Sequence, residues 1–279
     1  MAKCEFCDQE AGFLRKRHKE CQEKYESGSQ KILDITQDAI LTNKDLNSID
    51  TEIKGISQES FLDEPEVKLL LVEAWENSVK QALEDNVLTK QEEEALGSFR
   101  DRFALSQDEL DRKGAFSKLV KGAVVRELLE GNLPQRVKVE GTLPFNFQKS
   151  ESLVWVFQNV EYYEQRTRRQ YVGGYSGVSV RVAKGVYYRV GGFRGNPIVT
   201  QDSVHVDTGT LAITNKHIYF AGNGKAFKIA YDKIVSFTPY SDGIGVQRDA
   251  LTARPQSFVT GDGWFTYNLL SNLAKMRSG

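Results

Sequence analysis

From Ser29 onward the apolar residues recur every three or four positions, as Ile32, Ile35, Ala39 and Ile40, and later as Val67, Leu70, Leu71, Ala74, Trp75, Val79, Ala82 and Leu83. That period lines one face of an α-helix, so the chain to about residue 135 is expected to be a bundle of amphipathic helices. Helix starts are legible within it. Asp63-Glu64-Pro65 places Pro and acidic groups in a first turn, and Thr89 with Glu92, like Ser106 with Glu109, has the spacing of a capping box. Past Gly131-Asn132-Leu133-Pro134 the period changes to alternation, and Tyr, Val, Ile and Phe take over. Ser179 to Val182 and Val186 to Val190 flank Ala183-Lys184-Gly185 and read as a hairpin. Leu211 to Thr214, His217 to Phe220 and Ala226 to Ile229 follow, the last two joined by Asn223-Gly224, a strong hairpin signal. Ile234 to Phe237, Ile244 to Val246 and Ser257 to Val259 complete the strands. Phe265, Leu269, Leu270 and Leu273 then return to helical spacing. The fold class expected is α+β, a helical bundle followed by a small β-barrel capped by a C-terminal helix.

Charge divides the chain at the same place. Residues 28–130 carry 13 Lys and Arg against 22 Asp and Glu, whereas residues 131–279 carry 18 against 10, and the total is −1. Two bodies of opposite sign are expected, and the basic one either faces the acidic one or serves an anionic partner. The longest apolar run, Leu69 to Val72, is far below the roughly 18 to 20 residues of a membrane helix. The first residues lack the apolar core of a secretion signal, and the expectation is a soluble protein of a reducing cytoplasm, with peripheral membrane association left open.

All three cysteines lie near the start, at Cys4, Cys7 and Cys21, and His18 joins them as Cys-x2-Cys-x10-His-x2-Cys. Cys4 and Cys7 bracket a tight turn that lets two thiolates reach one ion, Gly12 allows the chain to turn back, and His18 and Cys21 project from one face of a short helix. The pattern reads as a structural zinc site, since four protein ligands leave no position for water. The competing reading is three free thiols or a disulfide. The spacing is similar to that of small zinc fingers with ligand order Cys, Cys, His, Cys, a group that includes ubiquitin-binding and nucleic-acid-binding types. Arg15, Lys16, Arg17 and Lys19 surround His18, and Glu20, Glu23 and Glu26 follow. That helix therefore reads as a phosphate-binding face or as a solvated face or protein contact.

Two further resemblances follow from the residues. The stretch from about 62 to 112, with its acidic turn before Leu88-Thr89-x-x-Glu92, resembles the TerB-like helical modules of tellurite-resistance and stress proteins, which implies a bacterial or phage stress or defence setting. In that turn Asp85, Asn86, Glu92, Glu93 and Glu94 lack the Asp-x-Asp-x-Asp-Gly series of a calcium loop and read as a capped helix start. The stretch Thr208-Gly209-Thr210-Leu211-Ala212-Ile213-Thr214-Asn215-Lys216-His217-Ile218-Tyr219-Phe220, with the run at 229–236 and the last helix, is similar to the PH/GRAM family, in which Arg often stands at the place of His217. That resemblance implies binding of phosphoinositides, other anionic lipids, peptides or proteins.

Arg166, Arg168, Arg169, Arg181, Lys184, Arg189 and Arg194 stand against only Glu161 and Glu164 over residues 161–195. If the hairpin pairs symmetrically, Arg181 and Arg189 share a face and form part of a basic stripe, which reads either as an anion or partner site or as a solvated face. The Gly-rich stretches 173–177 and 191–195 lack the endings of a nucleotide loop. No catalytic constellation emerges. His205 with Asp202, Ser203 and Asp207 lies in one short β segment, where neighbours alternate faces. The chain is read in three parts: a zinc finger at 1–27, an acidic helical body at 28–135 and a basic PH/GRAM-like domain at 136–279. Its expected role is a non-enzymatic adaptor that recruits a protein partner or an anionic lipid surface. Nucleic-acid binding through the finger helix and the Arg-rich hairpin is the alternative, and self-assembly is a third reading.

Overall fold

A computed structural model describes residues 3–11, 15–85, 87–165, 178–183, 186–190, 203–250 and 253–278. The chain forms two compact units, residues 1–123 and 124–279, and the division falls within a helix.

The first unit contains α1 (Lys19–Leu41), α2 (Leu46–Glu59), α3 (Glu64–Ala82), α4 (Lys90–Arg102), the short α5 (Gln107–Leu110) and the start of α6 (Ala115–Leu129). The expected starts are all built. Asp63, Thr89 and Ser106 each accept the backbone N–H three residues on, and Glu66, Glu92 and Glu109 reach back to close the boxes. Ile32, Ala39, Ile53, Leu71, Val79, Leu96 and Phe99 join one apolar core with Trp75, which is fully buried. The Trp75 indole N–H donates to the Leu96 carbonyl at 3.0 Å, so burial leaves its one polar atom satisfied. α1 crosses α2 closely at Gly28, where a Cβ would fall 2.1 Å from the Ser60 hydroxyl.

Glu109 is held hardest among the caps. The Lys68 ammonium lies 2.6 Å from its carboxylate, and the Ser106 N–H and hydroxyl donate to it at 2.9 and 2.8 Å. The lysine first and the serine second keep its pKa down at about 2. An unfolded Glu titrates near 4.3, so the folded unit binds fewer protons and Glu109 favours it above that pH. This contribution is lost as the pH falls from about 4.3 toward about 2. In thermal melts, Glu109→Gln should lower the Tm at pH 7, and the gap to wild type should shrink by pH 2.5. A gap independent of pH would contradict the assignment.

The second unit is built on β1 (Leu153–Gln165), β4 (Ser203–Thr214), β5 (His217–Gly222), β6 (Ala226–Ala230), β7 (Ile234–Pro239), β8 (Gly243–Arg248) and β9 (Gln256–Val259), with α7 (Gly263–Ser278) at the end. Every ladder is antiparallel, and the strand order is β6-β5-β4-β1-β9-β8-β7. The predicted hairpin is β2 (Val178–Ala183) paired with β3 (Val186–Val190) as a separate two-stranded sheet. β1 is the shared strand. It pairs with β4 along most of its length and with β9 over Glu161 to Glu164, bending at a register shift where Asn159 takes a left-handed φ of 54°.

The expected barrel is corrected to an open sheet. A barrel needs each strand paired on both sides, whereas β6 and β7 stand at opposite edges with no ladder between them among the described residues. A 3₁₀ turn at Tyr231–Lys233 carries the chain from one edge to the other. The C-terminal helix is present as expected, with Phe265, Leu269, Leu270 and Leu273 buried, and Trp155 meets Phe265 edge-on at 4.7 Å.

Candidate metal centre

The chain from Lys3 to Glu10 folds into a tight reversal. The Cys4 N–H donates to the Gln9 carbonyl at 2.7 Å and the Asp8 N–H to the Cys4 carbonyl at 3.0 Å. Asp8 takes a left-handed φ of 56°, a conformation Asp adopts more readily than most residues. The Glu5 N–H reaches the Lys16 carbonyl at 3.0 Å and ties this loop to the approach of α1. His18 is the N-cap residue of α1 and Cys21 stands in its first turn. The two ligand pairs thus come from a knuckle and a helix start, but the helix is 23 residues long where a short one was expected, and His18 precedes it in extended backbone where it was expected within it. Gly12 lies outside the described residues.

The four ligand atoms lie within 4.8 Å of one another. His18 Nδ1 is 3.3 Å from the Cys7 sulfur and 3.8 Å from that of Cys21. A tetrahedral ion with metal–sulfur bonds near 2.3 Å separates its ligands by about 3.8 Å, so the cluster has the size of a zinc shell. His18 Nε2 is 2.9 Å from the Glu10 carbonyl. As donor to that oxygen, Nε2 carries the proton and leaves the Nδ1 lone pair toward the sulfurs, the outer-shell arrangement that fixes a metal-ligating imidazole. The His18 N–H points to the Cys4 sulfur at 3.4 Å.

The preferences of the two shifted thiols are those a nearby cation would offset. Burial alone would raise the Cys4 thiol, but N–H donors from His18, Phe6 and Cys7 outweigh it and hold the pKa down at about 6. Cys21 is pushed up to about 11 by burial and by the neighbouring thiols of Cys7 and Cys4. His18 is raised, chiefly by the Glu10 carbonyl. One thiolate is favoured by the fold and the next is opposed by the first, which is the condition a divalent cation relieves. Three thiolates and an imidazole suit zinc, and four protein ligands close its shell.

The basic residues around His18 are partly engaged. Arg17 donates to Glu5 at 2.7 Å and to Gln22 at 3.0 Å, and its guanidinium lies 4.7 Å from the centre of the Phe6 ring. Lys19 is 3.4 Å from Glu23. Phe6 stacks in turn on Tyr25 and Phe61, a contact that no spacing in the sequence announces.

In the hairpin, the backbone of Arg181 pairs with Tyr187 and that of Arg189 with Ser179. Arg166, Arg168, Arg169, Lys184, Arg194 and both Gly-rich stretches lie outside the described residues. Asp85 accepts the Val87 N–H at 2.9 Å within the loop before α4, and Glu92 closes the capping box of that helix; Asn86 lies outside the described residues. Among the described residues no other group of three His, Cys, Asp or Glu is placed to hold an ion.

Asp207 accepts N–H bonds from Gly224 at 2.8 Å and Lys225 at 2.7 Å, holding the Asn223-Gly224 turn, while His205 Nε2 lies 3.0 Å from the Thr208 hydroxyl. Asp202 is outside the described residues. His217 Nδ1 is hydrogen-bonded to the buried carboxylate of Glu151, which also accepts the Tyr219 hydroxyl at 2.7 Å. These interactions latch the chain entering β1 onto β5. No helix among the described residues is long and apolar enough to cross a membrane. No family model matches the chain, and no curated protein matches its sequence.

Proposed function

We propose that the protein is a non-enzymatic binding protein whose N-terminal segment is organised by a structural zinc ion and whose β unit is a PH/GRAM-like platform for a protein partner. The observation that carries this reading is the closed Cys4, Cys7, His18, Cys21 donor set with its Glu10 outer-shell carbonyl. A site with four protein ligands stabilises and positions, and it leaves no coordination place for a substrate. The PH/GRAM-like reading draws support from two three-stranded antiparallel meanders, β4-β5-β6 and β7-β8-β9, that flank β1 and are followed by one C-terminal helix. The TerB-like reading of the helical unit rests on the acidic turn before Leu88-Thr89-x-x-Glu92 alone.

Binding rather than catalysis also fits the place of Asp207, whose carboxylate is occupied in holding the Asn223-Gly224 turn. The protein partner is preferred to nucleic acid because Arg17 and Lys19 are turned to partners within the segment, which leaves a weaker phosphate face than the composition promises.

The test is zinc content by native mass spectrometry, combined with a pull-down of the tagged full-length protein from its host with and without nuclease. One zinc per chain and a protein partner that survives nuclease are expected. Recovery that collapses on nuclease treatment would replace this reading with nucleic-acid binding.

A further inference from the structure

Phe6 stands between Cys4 and Cys7, so its backbone belongs to the metal knuckle while its ring points away from it. The ring stacks on Tyr25 of α1, with centroids 5.0 Å apart and planes 23° apart, and on Phe61 in the α2–α3 connection at 5.6 Å and 22°. Arg17 lies over the same ring at 4.7 Å. Phe61 takes a left-handed φ of 59°, a backbone that an aromatic residue keeps only where its surroundings hold it. The Tyr25 hydroxyl donates at 2.8 Å to Glu66. Glu66 is also the residue that closes the capping box of α3, its other oxygen accepting the Asp63 N–H at 3.0 Å while its own N–H donates to Asp63 at 2.9 Å. A continuous line of contacts therefore runs from the sulfurs of the knuckle, through two aromatic rings and a phenol, to the start of α3.

We infer that metal occupancy at the N-terminal centre controls the order of the α2–α3 junction, with Phe6 as the coupling side chain. The inference rests on the zinc reading above and deepens it, turning a structural ion into a regulatory one. Without an ion the loop carrying Phe6 has little apolar content of its own to fold around, and small metal-bound segments are ordered largely by ligation. When the loop loosens, the Phe6 ring leaves Tyr25 and Phe61. Phe61 then loses the contact that opposes relaxation of its backbone, and the Tyr25 to Glu66 bond loses its alignment. The α2–α3 connection is the short run from Ser60 to Asp63, so release at Phe61 reaches the α3 cap directly. Metal loss thereby exposes an aromatic surface on the helical unit.

The experiment is hydrogen exchange by mass spectrometry on the full-length protein, zinc-loaded and after chelation, together with Phe6→Ala and Phe6→Tyr, with zinc content measured for each. Peptides spanning residues 59–66 should exchange at least about tenfold faster in the zinc-free protein. Phe6→Ala should reproduce that acceleration while still holding one zinc, and Phe6→Tyr, which keeps the ring, should stay slow. Amides of Lys90–Arg102 should remain protected throughout, showing that the core of the unit is intact. One zinc in the wild type and in Phe6→Ala, with unchanged exchange at 59–66 in both the chelated wild type and Phe6→Ala, would overturn the coupling alone. Absence of zinc from the wild type would overturn the reading beneath it, whatever the exchange shows.

Discussion

Serine in place of Cys4 should abolish stoichiometric zinc binding, unfold the first 18 or so residues and loosen the α2–α3 junction, while leaving the core of the helical unit intact. Cys4 is the buried ligand of the four, at 2% exposure, and its sulfur also receives the His18 N–H. Serine offers a hard, neutral oxygen where the site presents a favoured thiolate, and it replaces the charged acceptor of the His18 N–H by a neutral one on a shorter bond. The loss of affinity should exceed the roughly 10- to 100-fold typical of removing an outer-shell partner, because a direct ligand goes. Competition with a chromophoric chelator measures it. Far-UV circular dichroism should change little, since α1 from Gly28 onward is packed through Ile32, Ala39 and Ile40 on the core. Full zinc retention by Cys4→Ser would mean that the ion is held elsewhere.

Trp75→Ala should cost the helical unit about 3–5 kcal/mol, the range for emptying a buried aromatic site. Trp75 has no exposed surface and stacks with Phe116 of α6 at 6.4 Å. The same change strips the Leu96 carbonyl of its indole donor in a buried setting. Trp75→Phe separates the two effects: it keeps most of the packing and loses the hydrogen bond, so its cost should be about 1–3 kcal/mol. Urea unfolding followed at the helical signal reads both. Equal costs for Ala and Phe would show that the hydrogen bond dominates, and a negligible cost for either would contradict the central place given to this residue.

The features that were legible in the sequence are those carried by short spacings. The boxes at Asp63, Thr89 and Ser106 need only residues three apart, and the metal cluster needs two pairs of ligands at fixed offsets joined by a loop of tolerant length. What escaped are contacts between residues far apart in the chain. Phe6 gives no sign of seeking Phe61, and Glu151 and His217 meet across 66 positions. The barrel expectation failed for the same reason, because alternation reports that strands exist but closure depends on which edges meet. Asp207 was read as one of several polar neighbours, yet a single carboxylate below an Asn-Gly turn is a natural acceptor for the N–H groups that such a turn leaves bare. The cations from Arg15 to Lys19 read equally as a phosphate face or a solvated one, because the sequence does not show that Glu5 folds back upon Arg17.

The double pairing of β1 sets a schedule for the newborn chain. The ligands of the metal knuckle span only residues 4–21 and complete their shell locally, whereas Glu161 of β1 waits for Val259 of β9, about 100 residues later. At translation rates of roughly 5–20 residues per second, one side of β1 is left without its neighbour for about 5–20 seconds. Through that interval the half-built sheet presents an open edge to the ribosome's surroundings, so the second unit is the one whose production yield depends on chaperone capacity.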